Sequence, residues 1–271
     1  MRADETIIFS DMDGTLLTDW SMGPIVAPFN MDAIKRFISA GGLFSIASGR
    51  QFRETLNFFE EMTFPIPLVQ GNGSVIYDSV KRRVIKKTPL PEDVKLECLE
   101  YSKRKKGIWL VAADENELYH VLTGECEWDR ALNDLRRRPI SEEEYLTLEL
   151  VKVCFVIADT SELDEVASDI QNFKSADKLR MMQSSPVFLE VLDKSAGKAA
   201  AIEEVVRLSN AGGRKLVCIG DYDNDCDMLA LADIAACPSN SSPRVLEMAK
   251  LITCTNNEGA IADLINKLGL L

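Results

Sequence analysis

Histidine is almost missing from this chain of 271 residues, which has only His120. That excludes a histidine-rich metal centre and leaves acid–base chemistry to carboxylates. His120 itself sits in the alternating run Leu118-Tyr119-His120-Val121-Leu122, which reads as a strand. No apolar run is long enough to cross a bilayer. Met1-Arg2-Ala3-Asp4-Glu5 leads into a strand without the h-region of a signal peptide. The sequence therefore predicts a cytoplasmic protein with no membrane partner. An excess of positive charge is also missing. The net charge is −12, whereas a nucleic-acid binder needs a basic footprint. Basic clusters at Lys81-Arg82-Arg83, Lys103 to Lys106 and Arg136-Arg137-Arg138 are offset by nearby acids and read as solvated surface. Seven cysteines, at 98, 126, 154, 218, 226, 237 and 254, contain no C-x-x-C pair. This argues against a disulfide framework or a structural zinc site. Cys154 and Cys218 lie inside apolar runs, where a thiol behaves as a small hydrophobe.

The rest is ordinary globular composition, 46% apolar and 27% charged, in a length that suits one large or two modest domains. The most informative stretch is Ile7-Ile8-Phe9-Ser10-Asp11-Met12-Asp13-Gly14-Thr15-Leu16-Leu17. It reads as a buried strand that breaks into a loop carrying two carboxylates. In an open α/β sheet that end is where ligands bind. Asp11 and Asp13, one residue apart, can face the same cavity. Mutual repulsion there draws in a divalent cation or leaves one acid protonated. An acidic turn capping the next helix is the alternative.

Beyond this loop the chain alternates. Residues 30–40 have helical apolar spacing stopped by Gly41-Gly42, and 43–47 form a second strand ending in Ser48-Gly49-Arg50. Residues 52–62 read as a helix, and 68–70 as a third strand ending in Gly71-Asn72-Gly73. This β-α-β-α-β order predicts an α/β fold with a doubly wound parallel sheet. The rhythm then changes to a hairpin over 74–77 and 83–88, a charged helix, a strand pair at 109–113 and 118–123, a strand over 151–158, a helix from Ser161 and a strand pair at 179–183 and 187–191. We therefore expect residues 87–187 to be an inserted α+β domain, with 1–86 and 188–271 forming the core. Parallel α/β logic returns with a helix from Gly197, a strand over 215–219 ending in Gly220-Asp221, and further strands near 234–237 and 251–254.

Asp11, Asp13, Ser48, Asp221, Asn224, Asp225 and Lys198 thus fall at strand ends or helix starts that can converge on one crevice. Singly, Ser48 suits a helix cap and Lys198 a surface helix. Gly220-Asp221 suits an ordinary turn, and Arg50 either surface or a substrate contact. Together these residue types suit phosphoryl transfer, which needs a nucleophile, cations around the phosphoryl oxygens and an acid for the leaving group. Carboxylates suit Mg²⁺. Lys198 supplies fixed charge, and Ser48 and Asn224 supply neutral hydrogen-bond donors.

The segments Asp11-Met12-Asp13-Gly14-Thr15-Leu16-Leu17, Ser48-Gly49-Arg50, Gly71-Asn72-Gly73, Lys198 and Gly220-Asp221-Tyr222-Asp223-Asn224-Asp225, with Met228-Leu229, resemble in order the haloacid dehalogenase-like (HAD) hydrolases, Cof-type branch with a large cap. The resemblance implies a Rossmann-like core with an inserted cap. It implies Asp11 as the nucleophile forming an aspartyl-phosphate and Asp13 as the general acid, then base. It further implies Mg²⁺ on Asp11, the Asp13 carbonyl and Asp221, with Asp225 close by or pairing with Lys198. Ser48, Gly49, Asn224 and Lys198 would hold the phosphate. Two departures stand out. Cys237-Pro238-Ser239-Asn240-Ser241 replaces a Met-Gly-Asn-Ala-like turn, and Ala199 follows Lys198 where glycine is common, which makes Lys194 a competitor. The implied activity is hydrolysis of a small phosphorylated metabolite such as a sugar phosphate. A phosphomutase would use the same aspartyl-phosphate, and a non-enzymatic aspartyl-phosphate switch would share the acidic site. Trp109 and Trp128 are candidates either for substrate contact or for cap core.

Overall fold

The computed structural model describes residues 1–59, 62–123 and 137–271. They form two compact units, Met1–Lys86 with Gly197–Leu271, and Lys87–Ala196. Among the described residues no helix is long and apolar enough to cross a membrane.

The first unit is built on five parallel strands: β1 (Thr6–Ser10), β2 (Leu43–Ile46), β6 (Lys215–Ile219), β7 (Ile234–Pro238) and β8 (Leu251–Thr253), in the order β8-β7-β6-β1-β2. Every residue of β1 is buried, as a central strand covered on both faces requires. Its alternating side chains serve two cores. Ile8 joins Phe44, Val217, Ile219 and Ala236 against α1 (Pro28–Ser39) and α5 (Ala260–Lys267), which contribute Ile34, Phe37, Ile261 and Leu264. Ile7 and Phe9 join Cys218, Ala235 and Cys237 against α3 (Lys198–Leu208) and α4 (Cys226–Leu231), through Ala201, Ile202, Val205, Met228 and Leu229. Helices on both faces make the sheet doubly wound, as the β-α-β alternation predicts. Each such side chain contributes about 1.5–3 kcal/mol on burial. A short helix, α2 (Phe52–Leu56), leads to a three-stranded group, β3 (Leu68–Gln70), β4 (Val75–Asp78) and β5 (Arg83–Lys87), tied to the parallel sheet by an Ala47–Val69 bridge. The helix expected over 52–62 is described only to Leu56, and residues 60 and 61 lie outside the described set.

The second unit is a six-stranded sheet in the order 179–185, 188–193, 152–157, 108–113, 118–121, 138–140, antiparallel apart from its last pair. One face is covered by the helices Glu92–Arg104 and Leu163–Gln171, with Tyr101 set edge-on to Phe155 and Phe173. Trp109 packs with Val111, Cys154, Val156 and Phe188 on the other face. Trp128 lies outside the described residues. Burial pushes the Cys154 thiol up to about 12, consistent with its reading as a small hydrophobe.

The second boundary of the insert needs correction. Ending the insert at 187 assigned Phe188–Asp193 to the core. That strand instead pairs with both Leu179–Ser185 and Lys152–Ile157, so the chain returns to the first unit only at Gly197.

Candidate active site

At the C-terminal end of β1 the backbone continues the ladder for one residue, with Asp11 N–H donating to Ile219 O at 2.9 Å. It then closes a tight turn in which Met12 O accepts from Thr15, Leu16 and Leu17. Gly14 adopts φ +75°, and a Cβ there would sit 2.3 Å from Asp221 Oδ2. The glycine therefore serves both the left-handed backbone and the close approach of Asp221 from the end of β6. Thr15 Oγ1 donates to Asp221 Oδ1 at 2.9 Å.

Lys198 opens α3 and is fully buried. Its ammonium donates to Asp11 Oδ1 at 2.6 Å and to Asp225 Oδ1. The approach of Gly197 and Lys198 depends on Gly73, at φ +96°, where a Cβ would meet Gly197 O at 2.1 Å. Lys194, the competitor in the sequence, is exposed and lies in the other unit. Asp225 Oδ2 accepts from the backbone N–H groups of Asp221 and Tyr222, at 2.9 and 3.3 Å. Asp225 thus faces Lys198 with one oxygen and fastens the Gly220–Asp225 turn with the other.

Asp11, Asp221 and Asp225 each present a carboxylate oxygen within 4.8 Å of the others. Burial, only partly offset by Lys198 and reinforced by Asp225 and Asp13, pushes the Asp11 carboxyl up to about 7. Burial, then repulsion from Asp11 and Asp225, holds Asp221 well above the usual carboxylate range. Burial alone would lower the Lys198 ammonium, but Asp11 and Asp225 outweigh it and raise it. Three crowded carboxylates against one ammonium are short of positive charge. Hard oxygen donors in that state fit a divalent cation such as Mg²⁺. Asp11 and Asp221 are the side chains best suited to hold it, since both oxygens of Asp225 already have partners.

Ser48 ends the extension of β2. Its N–H bonds Val69 O, its carbonyl accepts from Asn72 N–H, and its Oγ accepts the Arg50 N–H at 3.1 Å. The hydroxyl hydrogen is thereby left to be donated. Gly49 lies against the Asn72 amide, with a built Cβ meeting it at 3.0 Å. Asn224 Nδ2 donates to Asn72 Oδ1 at 3.1 Å, joining the β6 loop to the loop after β3. Asp13 is more open than Asp11, its side chain 42% exposed, and forms a two-pronged pair with Arg50. Asp221 and Asp225 thus bond directly to the Asp11 loop and to Lys198, and Ser48 and Asn224 join them through Asn72 and Arg50.

Thr15 and Asn72 lie within motifs quoted from the sequence, without a role of their own there, and Asn240 lies in the loop that departs from the family's pattern. Asn72 is buried in the left-handed region at φ +54°. The signal was an asparagine between two glycines, since asparagine tolerates that region. Asn240 Nδ2 donates to Gly14 O at 2.9 Å while its Oδ1 accepts the Asn256 N–H, so the unusual Cys237-Pro238-Ser239-Asn240 loop braces the loop after β1.

A family profile described as haloacid dehalogenase-like hydrolase matches residues 8–265. The chain is similar to 5-amino-6-(5-phospho-D-ribitylamino)uracil phosphatase YcsE of Bacillus subtilis, 27% identical over 97% of this chain and 95% of that one. Among solved structures it resembles the HAD subclass IIB sugar phosphatase BT4131, with a TM-score of 0.82, 18% identity and coverage of 98% of this chain and 100% of that one. It also resembles the HAD phosphatase BT1666 of Bacteroides thetaiotaomicron, with a TM-score of 0.82, 20% identity and coverage of 98% and 96%. With the profile spanning nearly the whole sequence, the chain belongs to the haloacid dehalogenase-like hydrolases, as an enzyme of their phosphatase type.

Proposed function

We propose that the protein is a Mg²⁺-dependent phosphomonoesterase of the cytosol that hydrolyses a small phosphorylated metabolite, a sugar phosphate or phosphorylated sugar-alcohol derivative, through an aspartyl-phosphate on Asp11. The observation that carries this reading is the cluster of Asp11, Asp221 and Asp225 around Lys198, with Asp13 on the same turn. Asp11 is held by a cation and lies deep at the strand end, the requirement for a fixed nucleophile. Its free oxygen attacks phosphorus, an O–P bond forms, and the bond to the leaving oxygen breaks. Asp13 gives its proton to that oxygen. Water then attacks the aspartyl-phosphate, Asp13 takes the water's proton, and the Asp11 carboxylate leaves with inorganic phosphate as product. Lys198, Ser48 and Asn224, with the backbone at Gly49, supply donors for the phosphoryl oxygens. A bound Mg²⁺ on Asp11, Asp221 and the Asp13 carbonyl would supply the positive charge the cluster lacks. The names of YcsE and BT4131 support a phosphorylated polyol or sugar as substrate.

Phosphate release from an aryl phosphate, with and without Mg²⁺, tests the reading against Asp11→Asn. Mg²⁺-dependent release that disappears in the variant is expected. Undiminished release by the variant would remove Asp11 from the chemistry. Turnover of a sugar phosphate without accumulation of inorganic phosphate would point to a mutase instead.

A further inference from the structure

No step above uses Arg50, yet its side chain is 13% exposed and closely held. Nε donates to Asp13 Oδ2 and Nη2 to Asp13 Oδ1, both at 2.7 Å. The guanidinium carbon lies 5.2 Å from the Trp20 ring centroid and 5.1 Å from that of Phe58, within cation–π range of both. Trp20 is 63% exposed. Its turn is nevertheless anchored. The neighbouring Asp19 carboxylate accepts from Asn256 Nδ2 at 3.0 Å and Asn257 Nδ2 at 2.6 Å. The Arg50 backbone is tied as well, its N–H to Ser48 Oγ and its carbonyl to Gly71 N–H. One residue therefore links the loop of Asp13, through its side chain, to the loops of Ser48 and Asn72, through its backbone.

A carboxyl group on a half-exposed loop turns freely about two bonds, and a proton donor that turns loses rate steeply. A planar guanidinium gripping both oxygens fixes both torsions, which an ammonium cannot do. We propose that Arg50, held between Trp20 and Phe58, is a positioning residue that orients the Asp13 carboxyl for proton transfer to the leaving oxygen. This rests on the phosphomonoesterase reading, with Asp13 as the acid. Arg50 itself gives up no proton and touches no reacting atom.

The test compares an aryl phosphate, whose leaving group needs little protonation, with an alkyl phosphate, whose leaving group needs it. In kcat/KM, Arg50→Gln should lose on the order of 10- to 100-fold on the alkyl ester and less than about 3-fold on the aryl ester. Arg50→Lys should fare nearly as badly, because charge alone does not orient. Trp20→Ala, at an exposed site that leaves the core intact, should lose about 3-fold on the alkyl ester only. Equal losses on both esters, or a rise in KM at constant kcat, would make Arg50 a substrate-binding or structural residue and overturn the proposal. Full activity of Arg50→Lys would do the same. Asp13→Asn is the internal control. If it shows no leaving-group selectivity, the assignment of Asp13 is what fails. Thermal melts of each variant exclude misfolding as the cause.

Discussion

An acid held near pH 7 inside a protein makes stability depend on pH in a definite direction. Asp11 is raised from 3.8 to about 7 by burial and by its acidic neighbours. The folded state therefore binds a proton more tightly than the unfolded chain does. The stability this adds is complete below about pH 4 and is lost as pH rises through about 7. Each tenfold difference in proton affinity between the folded and unfolded chain corresponds to about 1.4 kcal/mol. In EDTA, urea unfolding should show stability falling by a few kcal/mol between pH 5 and pH 8. Adding Mg²⁺ at pH 8 should restore much of that loss, since a cation that binds only the folded state stabilises by mass action. Asp11→Asn separates this acid from the background of other titrating groups. It keeps the shape and removes the charge, so the variant should be more stable than the wild type at pH 8 in EDTA, and its pH slope should be flatter by the Asp11 share. A wild-type stability that is level or rising from pH 5 to pH 8 in EDTA, with Asp11→Asn following the same curve, would refute the electrostatic account of the site.

Other perturbations read different parts of the same cluster. Lys198→Met leaves Asp11 and Asp225 facing one another without a cation and should cost about 3–5 kcal/mol in EDTA, measured by urea unfolding, with Mg²⁺ stabilising the variant more than the wild type. Asp13→Asn should leave the Mg²⁺-dependent thermal shift intact while phosphate release falls on the order of 10²–10⁴-fold. Gly14→Ala forces a methyl to within 2.3 Å of Asp221 Oδ2 at a left-handed φ. It should lose about 1–3 kcal/mol of stability and weaken Mg²⁺ binding measured by calorimetry. Deleting residues 87–196 and joining Lys86 to Gly197 should leave a folded first unit by circular dichroism, whereas a deletion ending at 187 strands Phe188–Asp193 and should aggregate.

What could be read from the sequence was whatever the sequence states locally. Ile7-Ile8-Phe9 followed by Asp11 and Asp13 announces a strand end with chemistry on it, because the apolar run and the carboxylates are adjacent in the chain. The same holds for Lys215–Ile219 followed by Gly220-Asp221. What was illegible depends on partners far away. Phe188–Asp193 looks alike whether it closes the insert or opens the core, and only its pairing with Lys152–Ile157 decides. The choice between Lys194 and Lys198 turns on burial, which depends on Gly73 letting Gly197 approach. Ser161, the expected helix start, instead lies in a short 3-10 turn, Thr160–Glu162, capped by Asp159, whose carboxylate accepts the Ser161 N–H, and the α-helix begins at Leu163. A capping signal locates a helix start only to within a turn when several cap-forming residues are clustered. Arg50 could be surface or site by sequence, since nothing near it in the chain names Asp13.

The features that destabilise this site are the ones the proposed chemistry requires. A nucleophilic carboxylate must be ionised when it attacks, yet burial and two further acids penalise that form of Asp11. Lys198 offsets part of the penalty permanently, but it divides its charge between Asp11 and Asp225. The remainder is a deficit of positive charge that a divalent cation can make good. Cation binding and ionisation of the nucleophile are then one linked equilibrium. If so, Mg²⁺ affinity must fall with pH below about 7 as Asp11 takes up its proton, and Asp11→Asn must abolish most of that dependence. Titration calorimetry at pH 6 and pH 8, in buffers of different ionisation enthalpy, counts the protons released per Mg²⁺ bound. Near pH 6 the wild type should release a substantial fraction of one proton and the variant much less, because only the wild type has a protonated Asp11 for the cation to displace.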